Sequence, residues 1–290
     1  MWRAVVDIFL NFIMKVPERK KILSFRRTVF AHFKKSGRYD LAWRTDTRPY
    51  FIFISELMLQ QTQVPRVQVK FAEFVKRFPD FRALAAASQT DVLAAWQGLG
   101  YNRRALFAKR AAEIVVRAHG GELPRDVAAL QRLPGIGPNT AAAILVYAWD
   151  EPHIFLETNI RTVFLHEFFP RSQRVADARL LPFVAAALDQ RRPREWDWAL
   201  MDYGTFLKRT TGNASRRSKH HVKQTRFEGS HRQVRGGILK FFLSGTKGAA
   251  FSSEKIAHAI SREPATTQRA LDELYGEGFL EMKEGKYWLG

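Results

Sequence analysis

Two glutamates of this sequence stand where a carboxylate could take part in proton transfer or charge stabilisation. Glu56 falls within a mostly apolar helical pattern that runs from Phe51 to Thr62. A carboxylate near the buried side of such a helix must be paired, hydrogen-bonded or have a raised pKa, unless it lies on the surface. Glu157 precedes another helical run, Ile160 to Phe168, where the helix dipole favours the ionised form. Two carboxylates in such different environments can divide the roles of acid and of charge stabiliser.

A glycine-rich turn lies between two helical patterns upstream of Glu157. Leu133 to Gly137 reads LPGIG, and Pro138 opens the next helix, because proline is favoured at the first helical position. The spacing of Gly135 and Gly137 lets the backbone approach a ligand, and free amides at a helix start suit a phosphate oxygen. The same pattern also fits an ordinary turn between two helices. The sequence therefore predicts a helical hairpin with phosphate binding as one of its possible uses.

The composition favours a polyanionic partner. The chain has 290 residues, with 47 Lys or Arg against 28 Asp or Glu, so its formal net charge is +19. Such an excess points to nucleic acid first and to an acidic membrane surface second. The length suits one large or two ordinary domains, and no apolar run is long enough to span a bilayer. The lack of cysteine excludes disulfides and thiolate chemistry, and it fits an intracellular protein.

The hairpin LPGIGPNTAAAIL, followed 20 residues after Gly137 by Glu157 and then TNIR, resembles the helix-hairpin-helix DNA glycosylase superfamily. Upstream, SELMLQQTQV at Ser55 to Val64 and GLGY at Gly98 to Tyr101 resemble the A/G-specific adenine glycosylases more than the endonuclease III branch. The resemblance implies a base excision repair enzyme that flips a mispaired or damaged base, adenine favoured, and hydrolyses its glycosidic bond. It also implies a monomer on double-stranded DNA, located in the cytoplasm with the nucleoid, with no membrane partner.

By this resemblance Glu56 protonates a purine at N7, while Glu157 stabilises the sugar cation or orients water, and Asn159 orients this site. Gln61 and Tyr101 line the flipped base and wedge into the base stack. The remaining residues expected to touch DNA come from the hairpin, from the basic segment Lys208 to Arg226 and from the C-terminal region. They are Gly135, Gly137, Asn139, Thr140, Arg216, Arg217, Lys219 and Arg269.

The sequence departs from the family pattern at three points. Glu157 stands where the family has aspartate, which puts the rate and the base choice in doubt. Asn139 stands where bifunctional relatives carry a Schiff-base lysine, so we expect no lyase activity, although Asn139 is equally consistent with a plain helix-start residue. Without cysteine the chain cannot hold the family's iron-sulfur cluster. The adjacent His220 and His221 lack further ligands for zinc, so we expect no cofactor and no metal.

The helical periodicity predicts an all-α core, with helices that include Arg103 to His119 and, as the first hairpin helix, Pro124 to Arg132. The resemblance implies that this core is the two-lobed core of the helix-hairpin-helix glycosylases. After it, three helical patterns and a β-hairpin pattern, with strands at Phe279 to Met282 and Lys286 to Leu289, resemble a small α+β winged-helix domain. The expected domains are an amphipathic extension at residues 1–20, the core at 21–207, a basic linker at 208–229 and the winged helix at 230–290. Relatives carry a Nudix-like domain in place of this last one, so their sensing of 8-oxoguanine does not transfer. Two alternatives stay open. One is a glycosylase for uracil, thymine or another damaged base, and the other is an inactive winged-helix DNA-binding protein.

Overall fold

The computed structural model describes residues 17–223, 226–246 and 248–290. The amphipathic helix expected at Met1 to Val16 lies outside the described residues. The rest is mostly helical, with a small antiparallel sheet near the C-terminus. The chain divides into two compact units, and each is described by itself. The first unit comprises the described part of Met1–Ile52, with Arg125–Gln131 and Ile136–Val222, and the second comprises Phe53–Pro124, Arg132–Gly135 and Lys223–Gly290.

The helices of the described chain are numbered here in chain order. They are α1 Arg19–Ser36, α2 Ala42–Thr45, α3 Pro49–Leu59, α4 Val64–Arg77, α5 Phe81–Ala86, α6 Gln89–Trp96, α7 Arg103–His119, α8 Val127–Gln131, α9 Pro138–Trp149, α10 Thr158–Phe168, α11 Asp177–Ala187, α12 Pro193–Thr210, α13 His231–Ser244, α14 Ser253–Ala259 and α15 Pro264–Gly276. A 3-10 helix covers Ala214–Arg217, and the strands are β1 Phe251–Ser252, β2 Leu280–Lys283 and β3 Lys286–Leu289.

The first unit is built around α12, which packs against α1 and α10. Trp196 of α12 is fully buried, and Phe25 of α1 meets its ring edge-on at 5.7 Å between centroids. Phe164 of α10 adds a second edge-on contact with Phe25 at 5.4 Å. Helices α10 and α12 approach closely at Gly204, where an added Cβ would lie 2.5 Å from the carbonyl oxygen of Asn159. Only glycine permits this spacing between the two helices.

A buried carboxylate ties α12 to the chain before α2. Asp202, only 4 % exposed, accepts hydrogen bonds from the backbone N–H of Arg38 at 2.8 Å and from both terminal nitrogens of Arg44 at 2.8 and 3.0 Å. Burial alone would raise the pKa of Asp202, but the bonds and charges of Arg44 and Arg38 outweigh it and lower the pKa. The paired charges therefore fix this end of the first unit.

The second unit packs aromatic residues of α4 and α6 in its core and includes the C-terminal elements. Phe74 and Trp96 are fully buried and meet edge-on at 5.7 Å between centroids. Gln89 of α6 donates from Nε2 to the carbonyl oxygens of Gly278 at 3.0 Å and of Gly290 at 3.3 Å. Arg110 of α7 reaches the carbonyl oxygen of Glu277 at 3.4 Å. The C-terminal elements are therefore bonded directly to α6 and α7.

The C-terminal elements themselves follow the predicted order of three helices and a hairpin. Strands β2 and β3 pair antiparallel, with Leu280 opposite Leu289 and Lys283 opposite Lys286. The sheet order is β1-β3-β2, so the short strand β1, which the sequence pattern did not predict, pairs with β3. The mostly helical fold with a small C-terminal sheet is confirmed, and the winged-helix assignment stays a prediction.

Two predicted elements differ in extent. The first hairpin helix was expected from Pro124 to Arg132, but α8 covers only Val127–Gln131 because the Asp126 carboxylate caps it, accepting the N–H of Ala129 at 2.7 Å. The segment expected as a basic linker is partly ordered against the first unit. There α12 continues to Thr210, and Val175 forms a parallel bridge with Ser218. The expected domain boundaries stay predictions.

Candidate active site

Glu157 is the N-cap of α10, in agreement with its expected place at a helix start. Its Oε1 accepts the backbone N–H of Asn159 at 2.7 Å and of Ile160 at 3.3 Å. The side chain is half-buried, and no donor among the described residues reaches its second oxygen, Oε2. One oxygen of Glu157 is therefore held by the helix amides, and the other keeps its capacity to accept a hydrogen bond.

Asn159 is fixed by α12 of the same unit. Lys208 Nζ donates to Asn159 Oδ1 at 2.7 Å, and Asn159 Nδ2 lies 3.9 Å from the sulfur of Met201. Lys208 is half-buried, and this burial lowers its pKa, although the nearby charge of Glu157 acts in the opposite direction. Lys208 begins the basic run from Lys208 to Arg226, and no sequence pattern singled it out for this site.

Asp197 is a second carboxylate near Glu157. It is 4 % exposed, and its Oδ2 is buried without a hydrogen-bond partner in the described part of the chain. Burial raises the pKa of Asp197 well above its ordinary value, and the charge of Glu157 raises it further. Burial therefore disfavours the charged form of Asp197, which limits the negative charge beside Glu157. A lone Asp between two tryptophans of a helix gave no sequence signal of this role.

Asn139 is turned toward the chain just before Glu157. Its Nδ2 donates to the carbonyl oxygen of Leu156 at 3.1 Å, and its Oδ1 accepts the N–H of Leu156 at 3.4 Å. The side chain thus joins the start of α9 to the loop that carries Glu157. Thr140, the next residue of α9, is half-buried.

In the second unit, Gln61 and Tyr101 both have left-handed backbone conformations. The φ angle is 56° at Gln61 and 47° at Tyr101. Such a conformation costs a non-glycine residue about 1 to 3 kcal/mol and persists only where the surroundings impose it, most often at ligand contacts. Gln61 is exposed, and Tyr101 is half-buried. The backbone therefore holds Gln61 and Tyr101 in tight turns, and their contact with a base stack stays a prediction.

The group that imposes both turns is Arg104, which the sequence analysis did not identify. It is 5 % exposed, and its Nη1 donates to the carbonyl oxygens of Leu57, Met58 and Gln60 at 2.8, 2.8 and 2.6 Å. Its Nη2 donates to the Gly100 carbonyl oxygen at 2.9 Å. Burial lowers the pKa of Arg104 to about 10, so it stays charged at neutral pH. One buried cation thus joins the end of α3 to the GLGY loop.

Tyr101 also contacts the C-terminal part of the second unit. Arg232 of α13 donates from Nη1 to the Tyr101 hydroxyl at 2.8 Å, and its guanidinium carbon lies 5.7 Å from the centre of the ring. Glu56 belongs to this unit as well, half-buried on α3 beside Ser55, which is 1 % exposed.

The hairpin turn depends on its first glycine. Gly135 has a φ of 81°, and an added Cβ would meet Phe107 at 3.0 Å and Leu57 at 3.3 Å. Gln60 Nε2 donates to the Gly135 carbonyl oxygen at 3.2 Å. Gly137 is the N-cap of α9 and is exposed, with nothing within 4 Å of an added Cβ. The second glycine thus leaves open space at the start of α9.

The predicted basic contacts fall into two groups. Arg216 and Lys219 are exposed, and so is Arg269, which lies 3.4 Å from the Glu273 carboxylate. Arg217 is half-buried, and its guanidinium donates to the carbonyl oxygens of four residues that end or follow α10. These residues are Leu165, Phe169, Pro170 and Ser172. Arg217 therefore serves the fold of the first unit, whereas phosphate contact by the exposed three stays a prediction.

Residues 54–182 match the family model of the HhH-GPD superfamily base excision DNA repair protein. Over 274 residues the chain is 32% identical to the adenine DNA glycosylase of Mycolicibacterium smegmatis, covering 87% of this chain and 92% of that protein. The chain belongs to the HhH-GPD superfamily. It is also 37% identical to the adenine DNA glycosylase of Mycobacterium tuberculosis over 62% of this chain and 60% of that protein. For the enzyme of Rattus norvegicus the identity is 33%, over 64% of this chain and 38% of that protein.

Solved structures support the HhH-GPD fold. A thermostable thymine-DNA glycosylase is similar with a TM-score of 0.57 at 24% identity, covering 64% of this chain and 86% of that one. A trapped endonuclease III–DNA covalent intermediate gives a TM-score of 0.53 at 18% identity, covering 67% and 87% of the two chains. At these identities the likeness shows the fold alone.

HhH-GPD relatives that carry an iron-sulfur cluster hold it with cysteine thiolates. This sequence has no cysteine, and the described residues contain no group of three or more His, Cys, Asp or Glu that could hold a metal ion. The residues present therefore do not fit a cysteine-ligated cluster. In the part of the chain that the structure describes, no helix is both long and apolar enough to cross a membrane.

Proposed function

We propose that this protein is a monofunctional DNA glycosylase that flips a mispaired adenine out of duplex DNA and hydrolyses its glycosidic bond. The observation that carries the proposal is the geometry of Glu157, whose carboxylate is held by the first amides of α10 with one oxygen left for a ligand. The names of the matched relatives support adenine as the base. The net charge of +19 supports DNA as the partner.

In the proposed reaction Glu157 stabilises the positive charge that develops on the sugar as the base departs. A carboxylate fixed before the reaction needs no reorganisation, and such electrostatic stabilisation is worth several kcal/mol in a site that excludes water, on the order of 3 to 4. The same carboxylate can orient the water that completes hydrolysis. The longer side chain of glutamate brings its free oxygen one methylene further from the backbone than the aspartate of relatives.

Glu56 supplies the proton that makes adenine a better leaving group, acting at N7. Its half-buried position on an apolar helix supports a carboxyl that can hold a proton. Gln61 and Tyr101 fill the space left by the flipped base. Flipping costs a few kcal/mol, which these wedges and the phosphate contacts must offset.

The proposal includes no strand cleavage. At the position where bifunctional relatives carry a lysine, Asn139 bonds both backbone groups of Leu156 and has no nucleophilic amine. We further propose that Arg216, Lys219 and Arg269 contact phosphates, that residues 230–290 form a winged helix that touches DNA, and that the protein acts as a monomer. Without thiolates the purified protein should be colourless, and absorbance in the visible iron-sulfur region that rises with activity would contradict this.

The test uses duplexes that carry A:8-oxoG, A:G, U:G, T:G or hypoxanthine, each incubated with excess protein. Breaks that appear only after alkali on the adenine duplexes would support both the base and the monofunctional reaction. Breaks without alkali, or a covalent adduct trapped by borohydride, would contradict the monofunctional reaction. Excision of uracil or thymine alone would contradict adenine as the substrate and would support that other base. Binding without excision from any duplex would support the inactive DNA-binding alternative.

Variants of Glu157 test the mechanism. Glu157→Gln keeps size and one cap acceptor but loses the charge, so single-turnover excision should fall by roughly 100-fold or more, while duplex affinity stays the same. Glu157→Asp keeps the charge and is a good N-cap. The excision rate of Glu157→Asp should fall if the longer side chain is an adaptation, and it should rise if the glutamate is a defect. An unchanged rate in Glu157→Gln would refute the assignment.

A further inference from the structure

One face of α12 points at the start of α10, where Glu157 and Asn159 lie. Its members are separated by four, three and four positions, which places them on one side of a helix, and they are Asp197, Met201, Gly204 and Lys208. At Gly204 the two helices are in backbone contact, because an added Cβ would lie 2.5 Å from the Asn159 carbonyl oxygen. The side chains on either side of Gly204 are therefore held at short range from Asn159.

We propose that Lys208 is a positioning residue of the glycosylase site, which orients the Asn159 amide and places a positive charge beside Glu157. This inference rests on the proposed function. A lysine ammonium has only donors, so the amide must present its oxygen to Lys208 and turn its NH2 group away. The observed 2.7 Å bond between Lys208 Nζ and Asn159 Oδ1 has this arrangement. The bond thus selects one of the two amide orientations.

The charge of Lys208 acts in a partly desolvated place. Burial lowers its pKa, the carboxylate of Glu157 opposes that change, and the guanidinium of Arg161 adds to it. Arg161 is itself paired with Asp177, with N–O distances of 2.8 and 2.9 Å. The other carboxyl nearby, Asp197, has a raised pKa because burial disfavours its charged form. Glu157 and Lys208 are therefore the opposite charges of this cluster that are not committed to another ion pair among the described residues.

The test compares Lys208→Met, Lys208→Arg and Lys34→Met with the full wild-type chain. Methionine keeps the apolar stem but loses the charge and the donor, and arginine keeps both. Lys34 is an exposed lysine of α1, so its loss controls for one positive charge. Single-turnover excision is measured against pH on an A:G duplex at saturating protein, together with the salt dependence of duplex binding.

We expect Lys208→Met to lose roughly 10- to 100-fold in rate, since a misplaced orienting group costs about this much. The acid limb of the pH–rate profile of Lys208→Met should move to higher pH by roughly one unit, because the variant lacks the opposite charge beside Glu157. Lys208→Arg should recover most of both effects, and Lys34→Met should show neither. An unchanged profile in Lys208→Met would overturn the proposal. So would an unchanged saturated rate with a salt slope lower by about 0.9, which would mean a phosphate contact.

A readout independent of activity separates this proposal from the proposed function. The side-chain amide signal of Asn159 in a nitrogen-15 NMR spectrum, assigned by its loss in Asn159→Asp, should shift in Lys208→Met and stay in place in Lys34→Met. If the wild-type chain excises no base, the proposed function fails, and the amide signal still decides whether Lys208 holds Asn159. A signal that does not move would overturn the positioning role whatever the activity.

Discussion

Replacing Arg104 should separate the role of the buried cation from general stability. In Arg104→Met the carbonyl oxygens of Leu57 and Met58, in residues that are fully buried, lose their 2.8 Å bonds. Each buried acceptor left without a donor costs about 1 to 3 kcal/mol, so the two together predict a loss of about 2 to 6 kcal/mol. That is a large part of the 5 to 15 kcal/mol, roughly, by which a native protein is stable.

Arg104→Lys should lose less stability but lose the coupling between the two turns. The guanidinium fork serves the end of α3 through Nη1 and the GLGY loop through Nη2. A single ammonium reaches one of these groups, because its donors spread from one atom. The free energy of unfolding should fall by about half as much as in Arg104→Met, while Gln61 and Tyr101 lose their shared support.

Urea unfolding gives the stability change, and a 2-aminopurine in place of the target adenine gives base flipping by its fluorescence. Arg103→Met is the matched control, because Arg103 is the exposed neighbour and its guanidinium carbon lies 5.3 Å from the centre of the Phe107 ring. This control should stay within about 1 kcal/mol of wild type. The reasoning is refuted if Arg104→Met unfolds at the wild-type urea concentration, or if Arg104→Lys flips the base as well as the control does.

Four further predictions concern α12 and the basic segment. Burial raises the pKa of Asp197 in the folded state, so ionising this carboxyl costs stability as pH rises above its pKa in the unfolded chain. Relative to wild type, Asp197→Asn should therefore gain up to about 1.4 kcal/mol of unfolding free energy per pH unit above that pKa, as measured by thermal or urea unfolding. Asp202 has a lowered pKa, so its contribution is present at neutral pH and is lost only as pH falls below the ordinary aspartate range. Asp202→Asn should therefore cost about 3 to 5 kcal/mol at pH 7 by leaving Arg44 buried without a counter-charge; equal stability at pH 7 would contradict this. Gly204→Ala should lower both the melting temperature and the single-turnover rate, because its Cβ overlaps the backbone of Asn159, whereas Gly236→Ala on α13, which has open space, should lower neither. Neutralising Arg216 and Lys219 together should reduce the log-log salt slope of duplex binding by about 1.8, and an unchanged slope would mean that these residues are only solvated.

Local sequence patterns were sufficient for the helical fold. Helix α7 covers the predicted span from Arg103 to His119, and the hairpin strands lie within one residue of their predicted positions. Both depend on periodicity and on glycine breaks, which act over a few residues. The two-unit division could not be read in this way, because each unit is assembled from separate stretches of the chain. The sequence places residues 53–124 far from the C-terminal residues, and only tertiary contacts such as that of Gln89 with Gly290 join them.

The candidate site was predictable where a residue acts through its own position in an element. Glu157 before α10 and Asn139 at the start of α9 are of this kind. Arg104 and Asp197 were missed because their roles depend on burial and on partners far along the chain. Sequence periodicity carries no information about such partners. A charged residue on the apolar side of a helix is the available signal. Arg104 sits among the buried positions of α7, and this pattern singles out a cation that must be satisfied by carbonyl oxygens.

The basic segment shows why a run of like charges has no single meaning. From composition alone, Lys208, Arg216, Arg217 and Lys219 are equivalent cations in a stretch without acids. In the folded chain Lys208 holds Asn159, Arg217 holds carbonyl oxygens after α10, and the other two are exposed. Among the described residues, hydrogen bonds from Lys208 and Arg217 to amide and carbonyl oxygens hold this segment in place. An ammonium or guanidinium group needs only an oxygen acceptor to make these bonds, so side chains alone order the segment beside Glu157.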